Sequence, residues 1–258
     1  MQLWQRINRS PLLQTVFRKI GKQLLLGYPD NARGEKFVHL SRCIGFIAEN
    51  GIDGDILEFG VSRGGSLLMI EQLARRLLKP RGMDYRIFGF DSFEGLPEPK
   101  GIDKHVHGDA TSKSTQFYAG EYAATEETVQ RMLKENKADL SHVHLIKGWY
   151  DQVLTPALRE KLEIKRVSLI NVDCDFYEST VAVLKWCAPW VRQGTVIIFD
   201  DWFTYEARPD LGEQLALHQF LEQNPHLSAT PFSSYSWHGK SFIMNCCNRS
   251  PPIVSRPQ

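Results

Sequence analysis

An α/β fold with a doubly wound, mostly parallel sheet and an N-terminal helical extension is predicted by three features of this chain. Short apolar runs rich in β-branched residues, such as Val167-Ser168-Leu169-Ile170 and Val196-Ile197-Ile198-Phe199, have the length and composition of strands buried on both faces. Segments of helical length separate them, and such alternation is what parallel strands joined by crossover helices produce. Both runs lead into acidic clusters, Asn171-Val172-Asp173-Cys174-Asp175-Phe176-Tyr177 and Phe199-Asp200-Asp201-Trp202. In an open α/β sheet the carboxyl ends of the strands are where ligands bind, so these aspartates are predicted to meet at one edge. Several converging carboxylates suit a hard divalent cation. An isolated strand-end aspartate more often caps a helix or starts a turn.

Taken in order, residues 2–26 have scattered apolar side chains and read as an amphipathic helix broken at Pro11. Arg9, Arg18, Lys19 and Lys22 interrupt any secretory apolar region. This helix is expected to pack on a second copy of the chain in a homo-oligomer, with contact to a membrane surface as the lesser alternative. Residues 36–50 form a second amphipathic helix carrying Phe37, Leu40, Ile44, Phe46 and Ile47. A strand over 55–59 leads through a glycine turn into a helix over 66–78. The second strand, 85–90, ends at Asp91. The polar stretch 94–121 is long for a connection and reads as a binding loop or lid. A helix over 125–136 has Glu126 and Glu127 in its first turn, where the helix dipole favours them. Then come strands at 143–147 and 167–172, a helix at 178–190 stopped by Gly194, and a strand at 195–199. A helix at 212–223 ends before Asn224-Pro225, and a late strand at 241–245 is read as antiparallel. The division that follows is a helical arm over 1–50, one domain over 51–248 and a flexible tail over 249–258.

With 31 Lys and Arg against 30 Asp and Glu, the chain lacks the basic surplus that nucleic-acid binding requires. Its five cysteines are odd in number, have no Cys-x-x-Cys spacing and include the adjacent pair Cys246-Cys247. That pattern fits free thiols in a reducing compartment, the cytoplasm, better than a disulfide framework or a zinc site. No apolar run approaches the ~20 residues of a membrane span.

The first strand runs into Glu58-Phe59-Gly60-Val61-Ser62-Arg63-Gly64-Gly65-Ser66. Glycines here allow a tight turn and close approach of a ligand, and the helix that follows offers free N–H groups. Val61 and Ser62 stand where a dinucleotide fingerprint wants its second glycine, and no lysine completes a Walker loop. An oxidoreductase is thereby disfavoured, and a non-catalytic binding module would have no use for the acidic clusters. The pattern Glu-x-Gly-x-x-x-Gly-x-Ser resembles motif I of class I S-adenosylmethionine (SAM) methyltransferases, whose sheet is Rossmann-like. Asp91, at the end of the second strand, is suited to accept hydrogen bonds from ribose hydroxyls.

The rarer string Phe88-Gly89-Phe90-Asp91-Ser92-Phe93-Glu94-Gly95-Leu96-Pro97, together with the two acidic clusters, resembles the macrocin/mycinamicin-type sugar O-methyltransferases, the TylF/MycF/NovP family. The resemblance covers about residues 53–245. It implies transfer of a methyl group from SAM to a hydroxyl of a sugar or glycosylated small molecule, assisted by Mg²⁺ or another divalent cation. By resemblance Asp173, Asp200 and Asp201 would hold the metal, and Asp173 would also act as the base. Glu58, Gly60, Gly64, Ser66, Asp91, Ser92, Gly148 and Trp149 would surround the cofactor, with Trp149 bordering the adenine. Asp175 is set aside because the chain is expected to turn there, and His105, His107 and His238 are alternative bases. Trp202, Tyr205, Phe232, Tyr235 and Trp237 are candidates to line the acceptor pocket, with core packing as the competing reading and the favoured one for Phe232. Two departures from the family pattern are Phe176, where a leucine is common, and the aromatic segment Trp202-Phe203-Thr204-Tyr205-Glu206.

Overall fold

The computed structural model describes residues 31–107 and 117–246. The helix predicted over 2–26, the tail over 249–258 and the middle of the 94–121 loop lie outside the described residues. The first described helix, α1 (Asn31–Asn50), precedes β1 (Asp55–Phe59), α2 (Gly65–Leu77) and β2 (Ile87–Asp91). Next come α3 (Glu126–Glu135), β3 (Val143–Lys147), α4 (Tyr150–Val153), α5 (Pro156–Leu162) and β4 (Val167–Val172). The chain continues through α6 (Tyr177–Cys187), β5 (Val196–Phe199), α7 (Gly212–Gln223), β6 (Leu227–Tyr235) and β7 (Gly239–Cys246).

These strands form one seven-stranded sheet in the order β3-β2-β1-β4-β5-β7-β6. Strands β1 to β5 are parallel, and β7 runs antiparallel between β5 and β6. Strands β1, β4 and β5 are buried at every position, which is why they read as continuous apolar runs rather than alternating ones. Successive side chains point to opposite faces. Leu57, Phe59, Phe90, Val172 and Phe199 pack with Trp186, Trp190 and Phe220 on one face. On the other, Ile56, Leu169 and Ile198 pack with Leu67 and Ile70 of α2 and Leu40, Ile44 and Ile47 of α1. Residues 31–50 therefore share the core of the domain rather than standing apart from it as an arm.

Strand β6 was not anticipated. Pro231 demotes a run to an edge strand or a loop, and β6 is the edge strand, with its register slipping between Pro231 and Ser233. The helix predicted over 178–190 ends at Cys187, and Pro189 sits in a 3₁₀ turn beyond it. The ends of the 94–121 loop are stitched together: Leu96 N donates to Glu121 O (3.0 Å) and Gly120 N to Leu96 O (2.9 Å). Within the loop, Asp103 accepts from Tyr177 N (2.9 Å) and Glu178 N (3.1 Å), capping α6 from outside its own sequence. None of the described helices is long and apolar enough to cross a membrane.

Candidate active site

Strands β1, β2, β4 and β5 all deliver their carboxyl ends to one cavity of about 2360 Å³. Ordinary small-molecule pockets occupy about 300–1,000 Å³, so this one has room for two ligands side by side. Its first wall is the glycine turn, with Gly60, Ser62, Gly65 and Ser66, together with Asp91, Ser92, Gly148 and Trp149. Gly64, with φ 81°, caps α2 without a side-chain hydrogen bond, so the first amides of that helix face the cavity. Asp91 holds the turn in shape: its Oδ2 accepts from Val61 N (2.7 Å) and Ser62 N (2.8 Å), and its Oδ1 from Phe93 N (2.6 Å). A carboxylate has about four acceptor positions, so one remains for a ligand hydroxyl. Ser92 Oγ is engaged locally, donating to Gly95 O (2.9 Å) and accepting from Glu94 N (3.0 Å).

Glu58 and Gly64 are not among the residues lining the cavity. Gly64 faces Val129 and Met132 of α3. Glu58 lies fully buried beneath the turn, where its Oε1 accepts from Asn171 Nδ2 across the β1–β4 pair (2.9 Å). Burial pushes its carboxyl up to about 8, against the pull of Ser66, Lys36 and Asn171. The folded value lies above the unfolded 4.5, so the stability that a protonated Glu58 contributes is present below pH 4.5 and lost as pH rises through 8. Glu58→Gln removes that titration and keeps an acceptor for Asn171. Between pH 5 and pH 8 it should gain on the wild type by roughly 4 kcal/mol. Thermal melts of both proteins across this range measure the effect, and parallel pH profiles would refute it.

The second wall carries Asp173, Cys174, Asp175, Asp200 and Asp201, and a residue that sequence reasoning missed. Lys36 of α1 places its ammonium 2.5 Å from Asp173 Oδ2 and 2.7 Å from Asp200 Oδ1. The three side chains are only 14%, 25% and 15% exposed. Burial by itself would lower the Lys36 pKa, but the two carboxylates outweigh it and hold the ammonium above its ordinary value. Burial and the neighbouring Asp200 push the Asp173 carboxyl up to about 6, with Lys36 pulling the other way. Asp200 moves down: burial is outweighed by Lys36, His238 and the Tyr235 hydroxyl, which donates to Oδ1. His238 Nδ1 lies 2.6 Å from Asp200 O. A signal for Lys36 was present in the sequence. It stands one turn before Leu40 on the stripe continued by Cys43, Ile44 and Ile47, a lysine on the buried face of an amphipathic helix.

Asp200, Asp201 and His238 each offer a ligand atom within 4.8 Å of the others. Asp201 Oδ1 accepts from Thr204 Oγ1 (3.1 Å), while its Oδ2 is buried with no hydrogen-bond partner among the described residues. Burial and then neighbouring carboxylates push Asp201, Asp175 and Glu213 well above the usual range. Ionised together these carboxylates would repel one another, and their oxygen-rich donor set fits a hard cation. Glu213, in the first turn of α7, accepts from Asp201 N (2.9 Å) and so fixes the loop after β5. Asp175 does lie at a turn, with φ 63°, and its carbonyl accepts from Tyr205 Oη (3.0 Å).

Of the five aromatics expected around an acceptor, Trp237 alone lines the cavity, and it is 67% exposed. Trp202 packs in the core against Phe199 and Phe242, Tyr205 and Tyr235 are buried, and Phe232 lies against Phe46 of α1. Tyr118 and Tyr122, at the end of the 94–121 loop, line the cavity instead. The side chains of His105 and His107 lie outside the described residues.

The chain is 30% identical over 167 residues to the 8-demethyl-8-(2,3-dimethoxy-alpha-L-rhamnosyl)-tetracenomycin-C 4'-O-methyltransferase of Streptomyces olivaceus, which covers 64% of this chain and 59% of that one. It therefore spans less than two thirds of that relative's length. It is 30% identical over 188 residues to the mycinamicin III 3''-O-methyltransferase of Micromonospora griseorubida, covering 72% of this chain and 67% of that one. The solved structure of the O-methyltransferase NovP superposes with a TM-score of 0.63 over 81% of this chain and 79% of that one, at 21% identity, a likeness of fold. The family model described as macrocin-O-methyltransferase (TylF) matches residues 31–224, from α1, which supplies Lys36, to the end of α7. The chain belongs to the macrocin-O-methyltransferase (TylF) family.

Proposed function

We propose that this chain transfers the methyl group of SAM to a hydroxyl of a sugar or glycosylated small molecule, and that it uses a divalent cation, Mg²⁺ by its oxygen donors, to do so. The observation that carries the reading is that the glycine turn with Asp91 and the aspartates of β4 and β5 line one cavity. SAM supplies an electrophilic methyl group on a sulfonium. A bound dication lowers the pKa of a hydroxyl by several units.

The chain's own residues account for the rest. The turn over 60–64, shaped by Asp91, and the open N-terminus of α2 form the cofactor side, with Gly148 and Trp149 at its border. Asp173, Asp200 and Asp201 would be the oxygen ligands; Asp200 and Asp201 cluster with His238, which lies close enough to join them. Asp173, whose main chain adjoins Gly60 of the cofactor turn, takes the proton from the acceptor hydroxyl. Tyr118, Tyr122 and Trp237 offer the aromatic faces on which a sugar or its aglycone stacks. The relative from Streptomyces olivaceus, whose name specifies a rhamnosyl group, supports a sugar acceptor.

Calorimetric titration of the full chain with SAM and with NAD, each with Mg²⁺ and with EDTA, tests the reading. SAM is expected to bind in both conditions and NAD in neither. Tight NAD binding without SAM binding would end it.

A further inference from the structure

Lys36 presents a problem of charge at the site just assigned to a divalent cation. Its ammonium sits within hydrogen-bond distance of one oxygen of Asp173 and one of Asp200, carboxylates from two different strand ends. A dication drawn to those oxygens would stand beside a full positive charge in a poorly solvated place, where like charges repel strongly. The two cations would compete for the same two carboxylates. The Asp200 carboxylate does not depend on Lys36 alone for its position. It also accepts from the Tyr235 hydroxyl, and the Asp200 carbonyl is 2.6 Å from His238 Nδ1. Asp173 is pinned through its backbone N–H to Phe59 O (2.8 Å). The Asp200 carboxylate, and the main chain that carries Asp173, would therefore stay in place if the lysine left.

We infer that Lys36 is an internal counter-cation which the incoming divalent cation displaces, so that metal binding releases the first turns of α1 from the edge of the sheet. The inference rests on the metal reading given above. Without metal, the lysine balances two buried carboxylates that would otherwise repel each other, and the fold does not need the ion. With metal, α1 loses its polar tie to β4 and β5 but keeps its apolar packing through Leu40, Ile44 and Ile47. Lys36 is thus a positioning residue that sets how tightly the ion is held.

The test is titration of the full chain with Mn²⁺, following free ion by its electron paramagnetic resonance signal. Lys36→Met should bind Mn²⁺ at least tenfold more tightly than the wild type. A residue that only held the site together would give the opposite sign. Equal or weaker binding by the variant overturns the inference while leaving the metal reading standing. Absence of Mn²⁺ binding in both proteins removes both. A second measurement needs no variant: acylation of Lys36 by an amine-reactive ester, read by mass spectrometry. Modification should rise severalfold when Mg²⁺ saturates the wild type, and unchanged protection overturns the displacement.

Discussion

Asp173→Asn should lower methyl transfer by roughly 10²–10⁴-fold, the usual contribution of a positioned general base, with little change in stability or SAM affinity. The two effects separate because Asp200 has partners that Asp173 lacks: both touch Lys36, but Asp200 also accepts from the Tyr235 hydroxyl and lies beside His238. Asp173 is buried beside Asp200, and its carboxyl is pushed up to about 6 even with Lys36 in contact. Its negative charge is therefore disfavoured in the fold, and a neutral amide gives up one partner of Lys36 while relieving a like-charge repulsion. Asp200 is the reverse case. Lys36, His238 and the Tyr235 hydroxyl outweigh its burial and hold its carboxyl below the usual range, so its charge is a source of stability. Asp200→Asn should lose activity and stability together, because it breaks a paired, poorly solvated charge. Methyl-transfer rates, thermal melts and SAM calorimetry on the two variants give the comparison. If Asp173→Asn keeps full activity, it is not the base. If both variants are equally destabilised, the additional partners of Asp200 do not stabilise the fold.

How much of this could be read from the sequence follows from which physical signals are local. Strands β1, β4 and β5 were legible because burial on both faces leaves unbroken apolar runs, and Asp173 and Asp200 were legible because they end such runs. Asp91 and the glycine turn, expected at one ligand site, line one cavity. What the sequence did not show is that Asp91 spends three of its acceptor positions on the amides of Val61, Ser62 and Phe93. Strand β6 escaped because its proline is tolerated only at a sheet edge, and edge placement is a property of topology. Helices α4 and α5 are too short for a helical period to declare itself. The acceptor side was the least legible part. Whether an aromatic side chain packs inward like Trp202 or outward like Trp237 depends on how the loops cross the sheet edge, and aromatic content alone does not decide it. Lys36 stands between these cases. Its place on an apolar stripe was visible, but its partners lie 137 residues away at the nearer of the two carboxylates.

Gly60→Ala should cost roughly 3–5 kcal/mol of stability and weaken SAM binding at least 100-fold, by a collision that no side-chain movement relieves. A Cβ at this position would fall 1.6 Å from Asp173 O and 2.6 Å from its carbonyl carbon, both backbone atoms. Room can be made only by parting the ends of β1 and β4, which strains Asp173 N–H to Phe59 O (2.8 Å) and Gly60 N–H to Phe90 O (3.0 Å). Each such bond is worth about 1 kcal/mol. The positive φ of 89° adds about 1–2 kcal/mol for any residue with a Cβ. One displacement thus moves the cofactor turn and the base together, which is why activity and binding should fall with stability. Gly82 provides the control: its φ is 68°, yet an added Cβ meets nothing within 4 Å. Gly82→Ala should carry the backbone term alone, about 1 kcal/mol, and bind SAM as the wild type does. Denaturant unfolding and calorimetry on the pair isolate the collision as their difference. Equal losses in the two variants would mean that β1 and β4 do not meet as closely at Gly60 and Asp173 as the fold described here requires.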